Sequence, residues 1–171
     1  MTKGLPRSLA KASPMRSAVK KLSIEIDHPI TVTATGAAVG FGSVVLGGLP
    51  EAYLKIMAVA VKVQFSGPTT GNLSDIFDGD FGVGTTPASD ATITAGDVDL
   101  ISSTALNPAT AERSPVKTVA DGVDLVIDNT ADDLEINLNL LIDAADITDG
   151  AVVVMRARGV LEIVLVTMLD D

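Results

Sequence analysis

The stretch FDGDFGVGTTPASD, residues 77–90, holds an Asp-Phe-Gly triplet at Asp80, Phe81 and Gly82, with further glycines at 79 and 84. In a protein kinase such a triplet holds magnesium through its aspartate, and glycine-rich loops cradle phosphate with backbone N–H groups. That chemistry needs a strand lysine, a His-Arg-Asp loop with a downstream asparagine and a glycine-rich loop ahead of it. The single histidine, His28, is followed by Pro29, so the catalytic loop is missing. No G-x-x-x-x-G-K-[ST] loop is present, and no G-x-G-x-x-G opens a helix. Gly79, Gly82 and Gly84 are therefore expected to lighten a strand and let it bend or pack closely. Phe81 and Val83 are expected to face a core, and TTPASD to turn the chain.

Calcium is the next chemistry to weigh, because it takes clustered oxygen ligands. Asp75, Asp78 and Asp80 are close in sequence, as are Asp97 and Asp99, and Asp128, Asp132 and Asp133. None forms a D-x-[DN]-x-[DN]-G loop, and aspartate favours turns because its carboxylate bonds nearby backbone. Hydrolysis would need a base beside a nucleophile. His28 with Ser23 or Ser43 is the available set, and no G-x-S-x-G elbow presents either serine. Paired carboxylates for glycoside cleavage exist among 22 acids, but the chain has no Trp and one Tyr to furnish a sugar subsite. The expectation is a protein that is not an enzyme, with no cofactor and no bound metal.

The elements that must carry these residues read as strands. LSIEIDHPITVTAT (22–35) alternates apolar and polar residues, and Pro29 points to an edge or a bulge. VGFGSVVL (39–46) follows. YLKIMAVAVKVQF (53–65) is apolar on both faces until Lys62 and Gln64, as in a central strand whose end emerges into solvent. DIFDGDFGVG (75–84) and GDVDLI (96–101) alternate next, the latter with acids outward and Val98 and Leu100 inward. Residues 102–115, rich in Ser, Thr, Ala and Pro, read as a long loop. GVDLVIDN (122–129) is a strand. DLEINLNLLID (133–143) is the cleanest, with Leu134, Ile136, Leu138, Leu140 and Ile142 on one face and Glu135, Asn137 and Asn139 on the other. The last run, 151–169, is a bent strand or two strands meeting at Gly159. About eight strands with loops roughly every 8–14 residues, in a chain with 3% aromatics, predict an all-β fold. The expected architecture is a β-sandwich, jelly-roll-like, with an extended N-terminal arm.

The charge is unevenly placed. Lys3, Arg7, Lys11, Arg16, Lys20 and Lys21 lie in the first 21 residues, which contain no acid. The remaining 150 residues hold all 22 acids and six bases, a net charge of −16. Two parts follow: a basic extended arm, 1–21, and a sandwich domain, 22–171. The six bases are the candidate partner-binding residues, laid across an acidic protein surface. The acidic body opposes nucleic acid as a partner. The most apolar run, 151–169, is interrupted by Arg156, Arg158 and Glu162, so no membrane span is expected. With no cysteine, disulfides and thiolate metal sites are excluded.

Three segments carry a likeness to a known group: VLGGLPEAYLKIMAVAVKVQF, DGDFGVGTTPASDATITAGDVDLISSTA and LEINLNLLIDAADITDGAVVVMRARGVLEIVLV. Over roughly residues 39–167 the chain resembles tailed-bacteriophage virion proteins of the head decoration or cement type. The resemblance implies a sandwich on the outer surface of a capsid that clamps neighbouring capsomers. It implies the major capsid protein as partner, self-association as a homodimer or homotrimer, and no catalytic residues. The alternative is a tail-fibre or baseplate sandwich that adheres to host glycan.

Overall fold

The computed structural model describes residues 18–35, 39–68, 71–131 and 133–168. Among the described residues there are eight strands: β1 (Ala18–Ala34), β2 (Gly40–Gly48), β3 (Tyr53–Ser66), β4 (Gly79–Gly84), β5 (Ile101–Ala105), β6 (Lys117–Asp128), β7 (Glu135–Ile142) and β8 (Val152–Met168). One 3-10 turn, Ala95–Asp97, lies between β4 and β5.

All ladders are antiparallel, and the strand order is β5-β4-β7-β2-β1-β8-β3-β6. The hinge of this order is the β1–β2 ladder, which registers only Thr33 with Phe41 and Ala34 with Gly40. On either side stand two four-stranded layers, β1-β8-β3-β6 and β2-β7-β4-β5. Most successive strands alternate between the layers, as in a jelly roll. The expected all-β, jelly-roll-like sandwich is the fold observed.

The core lies between the layers and is largely aliphatic. Its aromatic centre is Phe65 of β3 against Phe81 of β4, with ring centroids 5.6 Å apart at 52°. Such tilted pairs contribute about 1 kcal/mol beyond the area they bury. β1 and β8 form the longest ladder, from Ala18 opposite Thr167 to Thr33 opposite Val152. Pro29 lies on β1 where only β8 registers beside it, the edge position that a residue without an N–H tolerates.

Several elements differ from the sequence reading. β1 begins at Ala18, so the last four residues of the expected 1–21 arm are strand, held by the β8 ladder. Residues 1–17 lie outside the described residues. β3 is central, between β6 and β8, but fully buries one face only, leaving Met57 exposed and Ala58 and Ala60 half-buried on the other. A bulge between Ile56 and Ala58 shifts the inward set from Leu54 and Ile56 to Val59, Val61, Val63 and Phe65. GDVDLI is not one strand. Asp97 and Asp99 bond Thr86 and Thr85, and these side-chain bonds compete with a ladder and leave a turn. Part of the expected loop 102–115 is instead β5, recruited by pairing with β4. β8 runs unbroken through Gly159, where a side chain would strike the backbone carbonyl of Lys62 on β3.

Candidate functional site

The glycine-rich stretch is core architecture. β4 runs between β5 and β7, and Phe77, Phe81 and Val83 are fully buried, as the alternation predicts. Gly79 has φ +157°, and a Cβ there would collide with the carbonyl of Leu141 on β7. Glycine therefore lets the backbone enter the sheet at this point. The Gly82 N–H and C=O belong to a strand registered with Asn139, not to a loop open to phosphate.

The acids fall into two kinds. Some hold loops. Asp99 accepts the backbone N–H and the hydroxyl of Thr85 at 2.9 and 2.7 Å, and Asp97 accepts the Thr86 hydroxyl at 2.6 Å. Asp128 and Asp90 accept the hydroxyls of Thr130 and Thr92, which hold both carboxyls below the usual range, aided by the backbone N–H groups of the same threonines. Others repel one another. Asp78, Asp80, Asp143 and Asp146 converge where the loop before β4 meets the loop after β7. Burial pushes the Asp143 carboxyl up, and the charges of Asp78, Asp146 and Asp80 push the same way. Asp75, grouped with Asp78 and Asp80 by sequence, gives its carbonyl to the Glu112 N–H instead. Among the described residues no group of three or more acidic or histidine side chains is arranged to hold a metal ion.

His28 is not brought to a serine of its own strand. Ser23 and His28 occupy odd and even positions of β1, so they point to opposite faces, about 17 Å apart along the strand. Ser43 lies on β2, opposite Asn139.

Of the six candidate bases, Lys3, Arg7, Lys11 and Arg16 lie outside the described residues. Lys20 and Lys21 stand on β1 opposite Leu165 and Val164, and Lys21 Nζ meets Glu162 Oε1 at 2.7 Å. Further along the same outer face, Asp27 accepts from Arg156 at 2.6 Å and from Arg158 at 3.2 Å. The Arg156 bond is the largest influence on the Asp27 carboxyl, which is held down to about 2 with help from Arg158. This Arg-Asp-Arg set was not found by sequence reading, because its members are 129 and 131 residues apart.

Sequence reading also missed Asn139. Expected on a solvent face, it is fully buried, as is its neighbour on that face, Asn137. The loop 85–98 folds over this side of β7. Asn139 accepts the Ala88 N–H at 2.8 Å and donates to the carbonyls of Thr86 and Asp97 at 3.0 and 2.7 Å. One side chain thus stitches the loop to the sheet. The Asn-x-Asn pattern on a solvent-type face carries no signal of this, since the same residues suit open water.

No family model matches the chain, and no curated protein matches it. A solved structure titled "CBM4 structure and function" is similar at 15% identity, with a TM-score of 0.40, covering 82% of this chain and 92% of that chain.

Proposed function

We propose that the protein is a structural virion component, a cement or decoration protein on the outer surface of a phage capsid. In this reading it stabilises contacts between capsomers, with the major capsid protein and further copies of itself as partners, and does so without catalysis. The observation that carries the reading is the segregation of charge: six bases and no acid in the first 21 residues, joined to a body of net −16. A basic segment on an acidic sandwich suits repeated contacts between subunits, where symmetry multiplies modest affinities. The resemblance of residues 39–167 to phage head decoration proteins supplies the location. Three of the five rings that a glycan could stack on, Phe65, Phe77 and Phe81, are buried in the core, while Tyr53 and Phe41, the latter beside Ala88, Ile93 and Leu141, are half-buried.

The test is particle imaging with and without the protein, using the full chain and a form lacking residues 1–17, which leaves β1 whole. The expected result is density on the outer capsid surface, a shortened form that melts within about 3 °C of the full chain, because the described core begins beyond the deletion, and capsid binding at least about tenfold weaker. Undiminished decoration by the shortened form would overturn the role of the arm. Density on the tail would overturn the capsid location.

A further inference from the structure

The two ends of the strand order face each other. β5 is laddered to β4 alone and β6 to β3 alone, so each has one free edge among the described residues. Between them lies a groove of about 450 Å³, with Leu100, Val123 and Leu125 as its apolar lining and Asp99, Asp121 and Asp124 as its acidic one. The Ser102 N–H donates to Asp121 Oδ2 at 3.1 Å, a side-chain bridge where main-chain pairing is missing. Asp124 is exposed and meets Lys55 at 2.9 Å. A free edge is a template for another strand. Carboxylates along it repel a second acidic body and admit a basic strand, so the charge selects the occupant.

We infer that the seam between β5 and β6 is the acceptor for residues 7–13 of a second copy, added as a strand to the free edge of β6. The segment, RSLAKAS, lies between Pro6 and Pro14, so every residue in it keeps its backbone N–H. In an extended chain Arg7, Leu9 and Lys11 point to one side. Leu9 then meets the apolar lining, and Arg7 and Lys11 flank it against the aspartates. This is strand addition, with main-chain bonds giving affinity and alternate side chains giving selectivity.

Reach selects a second copy over the same chain. Ala18 registers with Thr167, Thr167 with Leu54, and Leu54 with Ile127, so β6 lies three strands away from β1. An added strand is a fourth spacing, roughly 19 Å from Ala18 measured across the sheet and longer over the side chains. The five steps from residue 13 to Ala18 span at most about 18 Å. The inference rests on the reading of the basic segment as a contact segment, and not on the capsid location.

The test is a charge-swap mixing experiment on full chains, read by sedimentation equilibrium. One variant carries Arg7→Glu and Lys11→Glu, the other Asp121→Lys and Asp124→Lys. The wild type is expected to self-associate, less so as salt rises. Each variant alone is expected to associate at least about tenfold more weakly, and an equimolar mixture to regain association, because each arm then meets a groove of opposite charge. Asp124→Lys alone keeps the Ser102 bridge and replaces the double change in the same mixture if that change unfolds the protein. A wild type that stays monomeric overturns the inference, and so do variants that associate like the wild type or folded variants whose mixture regains nothing. A chain that decorates capsids yet fails this assay overturns the seam and leaves the capsid reading standing.

Discussion

Asn139 is a buried polar side chain on which a whole loop depends. It satisfies one N–H and two carbonyls of the loop that covers β7. Asn139→Leu would leave those groups unpaired in a dry site, each costing about 1–3 kcal/mol. A loss of about 3 kcal/mol in chemical denaturation is expected, with hydrogen exchange at Ala88 rising more than in the core strands. Asp27 acts through charge. Its folded value of about 2 lies below the ordinary aspartate value of 3.8, so its contribution is present above 3.8 and lost as pH falls through about 2. Carbon-detected titration of the Asp27 carboxyl should show this midpoint, and Arg156→Gln should raise it. The carboxyl is exposed, so its effect on stability is small and weakened by salt.

Two elements show how strands and loops constrain each other. β4 enters its ladder through Gly79, where a side chain would meet the Leu141 carbonyl in a conformation that L residues rarely adopt. Gly79→Ala should cost about 2 kcal/mol or more in thermal or chemical unfolding, whereas a change at Gly71, where added bulk meets nothing, should be close to silent. The clasp between the loops at 72–78 and 143–148 is held by backbone bonds, among them Asp143 N–H to the Asp78 carbonyl at 3.0 Å and Thr148 N–H to the Asn72 carbonyl at 2.9 Å. Its carboxylates oppose it. Because the folded Asp143 value is raised, ionisation of this group costs stability above that value, and the cost is relieved as pH falls through it. The denaturation midpoint should therefore gain from this site as pH is lowered through the raised Asp143 value, and gain less in Asp80→Asn, which removes one of the repelling charges.

At the scale of the molecule, the sandwich gives the bases and acids different homes. The body holds its acids on loops, strand faces and the β5–β6 seam, while four of the six N-terminal bases precede the first strand. In the proposed assembly role, repulsion between acidic bodies would keep copies apart until a basic segment bridged them. The strand addition proposed above would put this interaction at the free edge of β6.

The sequence by itself determined the all-β class, the inward positions of Phe81 and Val83, the need of Pro29 for an edge or a bulge and the split of charge. Each is local: alternation with period two, a missing N–H, or a count of charges along the chain. Only the tertiary structure decided what the outer face of β7 meets, which aspartates crowd Asp143, and which strands are left with free edges. Those depend on loops folding back over sheets and on residues far apart in sequence, such as Asp27 with Arg156 and Asn139 with Ala88. Alternation tells that one face of a strand is polar. It does not tell whether water or a loop satisfies that face, because an asparagine amide can bond either.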